Sequence, residues 1–262
     1  MEERIKTSLL EIERDEGVRI FYACESGSRA WGFPSADSDY DVRFLYVRAR
    51  DWYLSVDVEK KRDVIERPIT DELDVSGWDI RKALMLLKKS NPPLLEWLGS
   101  PIIYREKFGI ADRLRKLLPE YYSPKACLHH YLHMAQGNYR EYLKGETVRV
   151  KKYFYVLRPI LAIKWIEEYD EVVPTEFGVL VERIVKDGEL KAIITDLIER
   201  KKSGGELDRG PVIPQISEFI RVELERLEKN SGEFRAPRTT TEKLNEVFRA
   251  SLSEVWGDGA RG

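Results

Sequence analysis

Apolar residues recur along the chain at two different periods, and the change of period divides it. Near the start Ile5, Leu9, Leu10 and Ile12 stand among charges at helical spacing, so residues 1 to 16 read as an amphipathic helix that Gly17 ends. Val18, Ile20 and Tyr22 then alternate with Arg19, Phe21 and Ala23, which predicts a strand with two fairly apolar faces, and hence a buried one. Small residues and two glycines between Glu25 and Gly32 mark a tight turn, and Ser35 to Ser38 continues as a polar loop. Tyr40, Val42, Phe44, Tyr46 and Val47 make a second strand. After a charged, irregular stretch, Asp63 to Ile69 and Glu72 to Trp78 read as two more strands in a hairpin-like arrangement. Asp79 is placed to cap a helix whose apolar positions include Ala83, Leu84 and Leu87, and Asn91-Pro92-Pro93 stops it.

From Pro124 onward the period is helical almost throughout: 125 to 144, 150 to 169, 175 to 200 and 211 to 229, with breaks at Gly145, Pro174, Ser203-Gly204-Gly205 and Gly232. A final helix is expected from about Thr241 to Trp256, followed by a disordered tail over 257 to 262. The pattern predicts an α+β chain in two parts. Residues 1 to 120 would form a small mixed sheet with helices, and residues 121 to 256 a mainly helical domain.

Composition changes this picture little. The chain has 262 residues, 42% hydrophobic, which is enough for a sizeable core. A net charge of −2 gives no global pull toward nucleic acid, so any polyanion site must be a local patch. The high charged fraction, rich in Lys and Glu, is a weak thermophile signal. No apolar run approaches the length of a membrane span, and the N-terminus lacks a signal-peptide layout. The two cysteines, Cys24 and Cys127, lie far apart. These features lead us to expect a soluble, cytoplasmic protein without disulfides.

The chemistry is concentrated between Gly27 and Asp41. Gly27-Ser28 follows a strand end, where glycine admits close approach of a phosphate and the Ser28 hydroxyl can bind one. Ten residues later comes Asp39-Tyr40-Asp41, and on a strand both carboxylates would face one way. Two such carboxylates repel unless a cation lies between them. The pair therefore suggests a divalent metal, Mg²⁺ or Mn²⁺, bound through hard oxygen ligands. The plainer reading is two solvated aspartates at a strand edge.

A second patch runs from Arg149 to Lys164, with Lys151, Lys152 and Arg158 among interleaved Tyr153, Phe154 and Tyr155. Lys151, Tyr155 and Arg158 would share a helical face, and Pro159 would kink that helix or begin a new one. Such a face can hold triphosphate or nucleic-acid phosphates and stack a base, or it can be a solvated basic surface over an aromatic core. Arg29 is either a phosphate ligand beside Ser28 or a surface arginine. His129 and His133, at i and i+4, have the spacing of zinc ligands but lack an evident third one, so a structural or surface role is preferred.

The Gly-Ser, gap, Asp-x-Asp arrangement resembles the nucleotidyltransferase signature of the DNA polymerase β superfamily. Glu25 to Gly32, Ser38 to Arg43, Gly77 to Lys82, Ser90 to Pro93, Glu96-Trp97-Leu98 and the stretch Lys152 to Pro159 are similar to the YcgL-like predicted nucleotidyltransferases, proposed to act in RNA repair. The resemblance implies a polymerase-β-like domain followed by a helical one that forms the other wall of a cleft. It also implies a third carboxylate on a neighbouring strand, for which Asp74 is preferred to Asp79, with Glu66 and Asp71 as remoter candidates. The expected set is then Asp39, Asp41 and Asp74 for catalysis and metal, and Gly27, Ser28, Arg29, Lys151, Lys152, Tyr155 and Arg158 for the nucleotide. The implied reaction transfers a nucleoside monophosphate from an NTP to an RNA end. Modification of a protein or small molecule, or an inactive binding module, are the competing readings.

Overall fold

The computed structural model describes residues 1–204, 207, 209–229, 237 and 240–257. The chain forms two compact units that are interleaved rather than consecutive. The first comprises 1–27, 39–122 and 237–262, and the second 28–38 and 123–236. A break falls after Tyr122, close to the boundary expected at 120, but the sequence gives no sign that 28–38 leaves the first unit or that the C-terminal segment returns to it.

In the first unit the opening helix, Glu2–Glu16, buries Ile5, Leu9 and Ile12 and stops at Gly17 in the left-handed region, φ 62°. The described residues then form a five-stranded sheet from β1 (Val18–Glu25), β2 (Tyr40–Arg48), β3 (Val64–Glu66), β4 (Leu73–Asp79) and β5 (Ile103–Glu106), in the order β3-β4-β2-β1-β5. The β2–β4 pair is parallel; its neighbours are antiparallel. The parallel pairing needs a crossover, and residues 49–72 make it, carrying the edge strand β3 on the way.

β1 does not keep the simple alternation read from its sequence. Its register with β2 shifts between Ile20 and Tyr22, a bulge at Phe21. Val18, Ile20 and Ala23 therefore join Val42, Phe44, Tyr46 and Val75 in one core with the opening helix. On the other face, the Tyr22 hydroxyl donates to the Trp97 carbonyl at 2.6 Å, and Trp78 stacks on Trp97 with ring centroids 3.7 Å apart. Gly77 leaves room for the ring of Phe44: a Cβ there would lie 2.3 Å from it.

Asp79 ends β4 and caps the helix Ile80–Lys88 by accepting from the Arg81 N–H, as its position in the sequence predicts. Helices Pro92–Leu98, Ile110–Tyr121 and Glu242–Trp256 complete the unit. Neither β5 nor the helix Ile110–Tyr121 was anticipated.

The second unit is mainly helical: Pro124–Tyr142, Tyr153–Tyr169, Phe177–Ile184, Glu189–Lys202 and Pro214–Lys229. The expected single helix over 175 to 200 is two, broken around Gly188. Tyr153–Tyr169 is buried on nearly every side and runs on through Pro159 as one element. A short antiparallel pair joins β6 (Thr147–Arg149) to β7 (Arg209–Pro211). The 28–38 segment packs Phe33 against Phe154, with centroids 4.6 Å apart, and against Phe177 at 5.5 Å. Among the described residues no helix is long and apolar enough to cross a membrane. The expected tail beyond Gly257 lies outside the described residues.

Candidate active site

The register of β2 against β4 sets the first unit's carboxylates. Asp41 stands directly opposite Asp74, while Asp79 is opposite Tyr46, five rows further along. Asp74 is therefore the carboxylate beside Asp41, and Asp79 belongs to a different place. It is fully buried, accepting from the Tyr53 hydroxyl at 2.6 Å and from Arg81 N–H at 2.8 Å. Burial pushes its carboxyl up to about 6 against those hydrogen bonds, and Asp79 serves as a helix cap.

β2 starts at Tyr40, and Asp39 sits just before it. Asp39 is exposed. Arg43, two positions on from Asp41, shares its face of the strand. One of its nitrogens, Nη2, lies 2.9 Å from Asp41 Oδ1 and 2.8 Å from Asp74 Oδ2. Nη1 donates to the carbonyls of Val42 and Asp74, each at 3.2 Å. Both carboxylates keep part of their surface in solvent, 28% and 30%.

Three neighbours fix Asp41. Gly27 has φ 57°, and a Cβ on it would lie 2.0 Å from Asp41 Oδ2, so only glycine leaves space for that carboxylate. Ser26 N–H donates to the Asp41 carbonyl at 2.9 Å. The Asp41 N–H donates to Glu25 Oε1 at 2.7 Å, and the Tyr104 hydroxyl donates to the other oxygen of that carboxylate. Glu25 has no exposed surface. A buried carboxylate with two donors is a rigid mount for the strand end that carries Asp41. Glu25 and Arg43 were both missed. Period two marks Arg43 as a same-face neighbour of Asp41, but the partners of Glu25 are up to 79 residues away and leave no local signal.

As a metal set these residues fit in donor type. Asp39, Asp41 and Asp74 offer hard carboxylate oxygens, and two of them already share a cationic partner. Among the described residues no three His, Cys, Asp or Glu side chains are grouped as a ready metal cage. That also leaves His129 and His133, both exposed, without the companions a zinc site needs. Cys24 is buried, and burial pushes its thiol up to about 12, so it is inert.

In the second unit Ser28 and Arg29 lie in the short turn Gly27–Ala30. Arg29 Nη2 donates to the Ser38 carbonyl at 2.7 Å, tying the two ends of its own loop. Lys151 is exposed in the turn Val150–Lys152. The Lys152 ammonium lies over two rings, Tyr142 at 4.2 Å and Tyr155 at 4.3 Å, and burial, helped by Lys151, holds its pKa below the ordinary value. Tyr155 is 42% exposed.

Arg158 departs from its expected place on the exposed face: it is 1% exposed, lies over Trp31 at 4.9 Å and donates to the Thr175 carbonyl at 3.3 Å. It is a core residue of the unit. Lys201, which sequence reasoning passed over, donates to Ser35 Oγ at 3.2 Å, and burial lowers its pKa.

The chain is 52% identical over 260 residues to the "Uncharacterized protein YcgL" of Bacillus subtilis (strain 168), covering 99% of each. A solved nucleotidyltransferase-like protein from Exiguobacterium sibiricum 255-15 aligns over 98% of this chain and 90% of its own, at 12% identity and a TM-score of 0.32, a likeness too slight to argue from. The RNA repair pathway DNA polymerase beta family, RlaP, matches residues 1–250, and the chain belongs to that family.

Proposed function

We propose that the protein transfers a nucleoside monophosphate from an NTP to a hydroxyl at an RNA end, releasing pyrophosphate. Family membership supports nucleotidyl transfer in an RNA repair pathway. The observation that carries the finer reading is the facing pair Asp41 and Asp74, with Gly27 bare of a side chain beside Asp41.

In this reading Asp39, Asp41 and Asp74 would hold Mg²⁺ or Mn²⁺, which when bound neutralises triphosphate charge and makes the acceptor hydroxyl more acidic. Asp74 accepts the acceptor's proton. The acceptor oxygen bonds to the α-phosphorus as the bridging bond to the β-phosphate breaks, and the electron pair leaves with pyrophosphate. Glu25 and Ser26 keep the Asp41 backbone fixed during this, so the carboxylate needs no reorganisation. Taken by itself, the second unit carries Ser28, Arg29, Lys151 and Lys152, whose donors suit phosphates, and the exposed ring of Tyr155, on which a base can stack. Arg158 supports that surface from beneath, through Trp31.

The test is incubation with each α-labelled NTP, Mg²⁺ or Mn²⁺, and total RNA. Label is expected in RNA, with one NTP preferred. Label entering a polypeptide band would move the acceptor to protein, and no transfer to either would sink the reading.

A further inference from the structure

We infer that Arg43 is a positioning residue that holds the Asp41 and Asp74 carboxylates together before a metal arrives and competes with a divalent cation for them. The inference rests on the carboxylate-and-metal reading above and adds a residue which that reading does not contain.

Two facing carboxylates on adjacent strands repel and would splay apart if left alone. Here a single guanidinium nitrogen serves both, at 2.9 and 2.8 Å, while Nη1 bonds the carbonyls of Val42 and Asp74. With these four acceptors around it, and 17% of its side chain exposed, the guanidinium has one well-defined place. Arginine cannot discharge by losing a proton. Its rigid fork also reaches acceptors in different directions, which a lysine ammonium on a flexible stem does less well.

The oxygens it occupies, Asp41 Oδ1 and Asp74 Oδ2, are those a cation held between the two carboxylates would need. A cation taking them must break both hydrogen bonds and approach a fixed positive charge. Preorganisation and competition thus come from the same side chain, and the balance between them sets metal affinity.

The test is Mn²⁺ affinity, measured by calorimetry and by the electron-spin signal of free Mn²⁺, on the wild type, Arg43→Gln, Arg43→Lys and Asp41→Asn. Arg43→Gln is expected to bind Mn²⁺ about tenfold more tightly than the wild type while losing thermal stability in metal-free buffer. Arg43→Lys, which stays charged and is the safer variant for folding, is expected to fall between them, and Asp41→Asn to lose binding. A purely structural Arg43 would lower stability without tightening metal. Affinity in Arg43→Gln and Arg43→Lys equal to or weaker than wild type, with Asp41→Asn still abolishing binding, overturns this inference and leaves the metal reading intact. No Mn²⁺ binding to any form overturns both.

Discussion

At the scale of single residues, the site is defined as much by a missing side chain as by those present. Gly27→Ala would place a methyl 2.0 Å from Asp41 Oδ2 on a backbone already at φ 57°. The backbone conformation alone costs an alanine about 1–2 kcal/mol. Chemical denaturation should show at least that loss, and nucleotidyl transfer should fall with it. Pairing the change with Asp41→Ala removes the clash, so the two stability effects should be clearly less than additive. Additive effects would mean that Gly27 and Asp41 are not in contact.

Residue type and spacing single out Gly27 and Asp41 as candidates, but they pair Asp41 with Asp39 and give Gly27 to a phosphate, whereas in the fold Asp74 faces Asp41 and Gly27 makes room for its carboxylate. Arg43 and Glu25 were not legible. An arginine on a strand and a glutamate at a strand end are ordinary in sequence. Their roles come from Asp74 and Tyr104, which only the fold brings near.

At the scale of elements, helix starts and stops were the most readable feature. Gly17 and Asp79 act locally, through backbone freedom and a side-chain cap, and both do what their types predict. Strand pairing was less readable. The bulge at Phe21 and the edge strand β5 are set by partners distant in sequence. β5 has no alternation of its own, carrying Arg105 and Glu106 after Ile103 and Tyr104.

The cap Asp79 makes a testable demand on pH. Its ordinary value is 3.8 and in the fold it is pushed up to about 6, so between these values the folded chain holds the proton more tightly than the unfolded one. Stability therefore falls as pH rises through that window, by on the order of 3 kcal/mol in all, and the cost is complete above it. Asp79→Asn keeps a good capping residue. Urea unfolding between pH 4 and 7 should show this fall in the wild type and a flatter profile in Asp79→Asn. In the second unit, Lys151→Ala should leave stability within about 0.5 kcal/mol. It should also reduce the salt dependence of RNA binding by about one phosphate contact. An unchanged salt slope would return Lys151 to the solvated surface.

At the scale of the whole molecule, the division into a sheet-bearing unit and a helical unit followed from the change of hydrophobic period near Pro124. The interleaving did not. The 28–38 segment carries no composition that distinguishes it from an ordinary loop. It joins the second unit because Phe33 and Trp31 find Phe154, Phe177 and Tyr155 there. The family match spans both units, which fits a chain whose units cannot be cut apart at one point.

The central claim is that the Asp41–Asp74 pair performs nucleotidyl transfer. It is tested most directly by the rate at which label passes from an α-labelled NTP to RNA in the wild type, Asp41→Asn and Asp74→Asn, each verified as folded by circular dichroism. The account predicts a loss of at least about a hundred-fold in each variant. Transfer at close to the wild-type rate in either variant would contradict it.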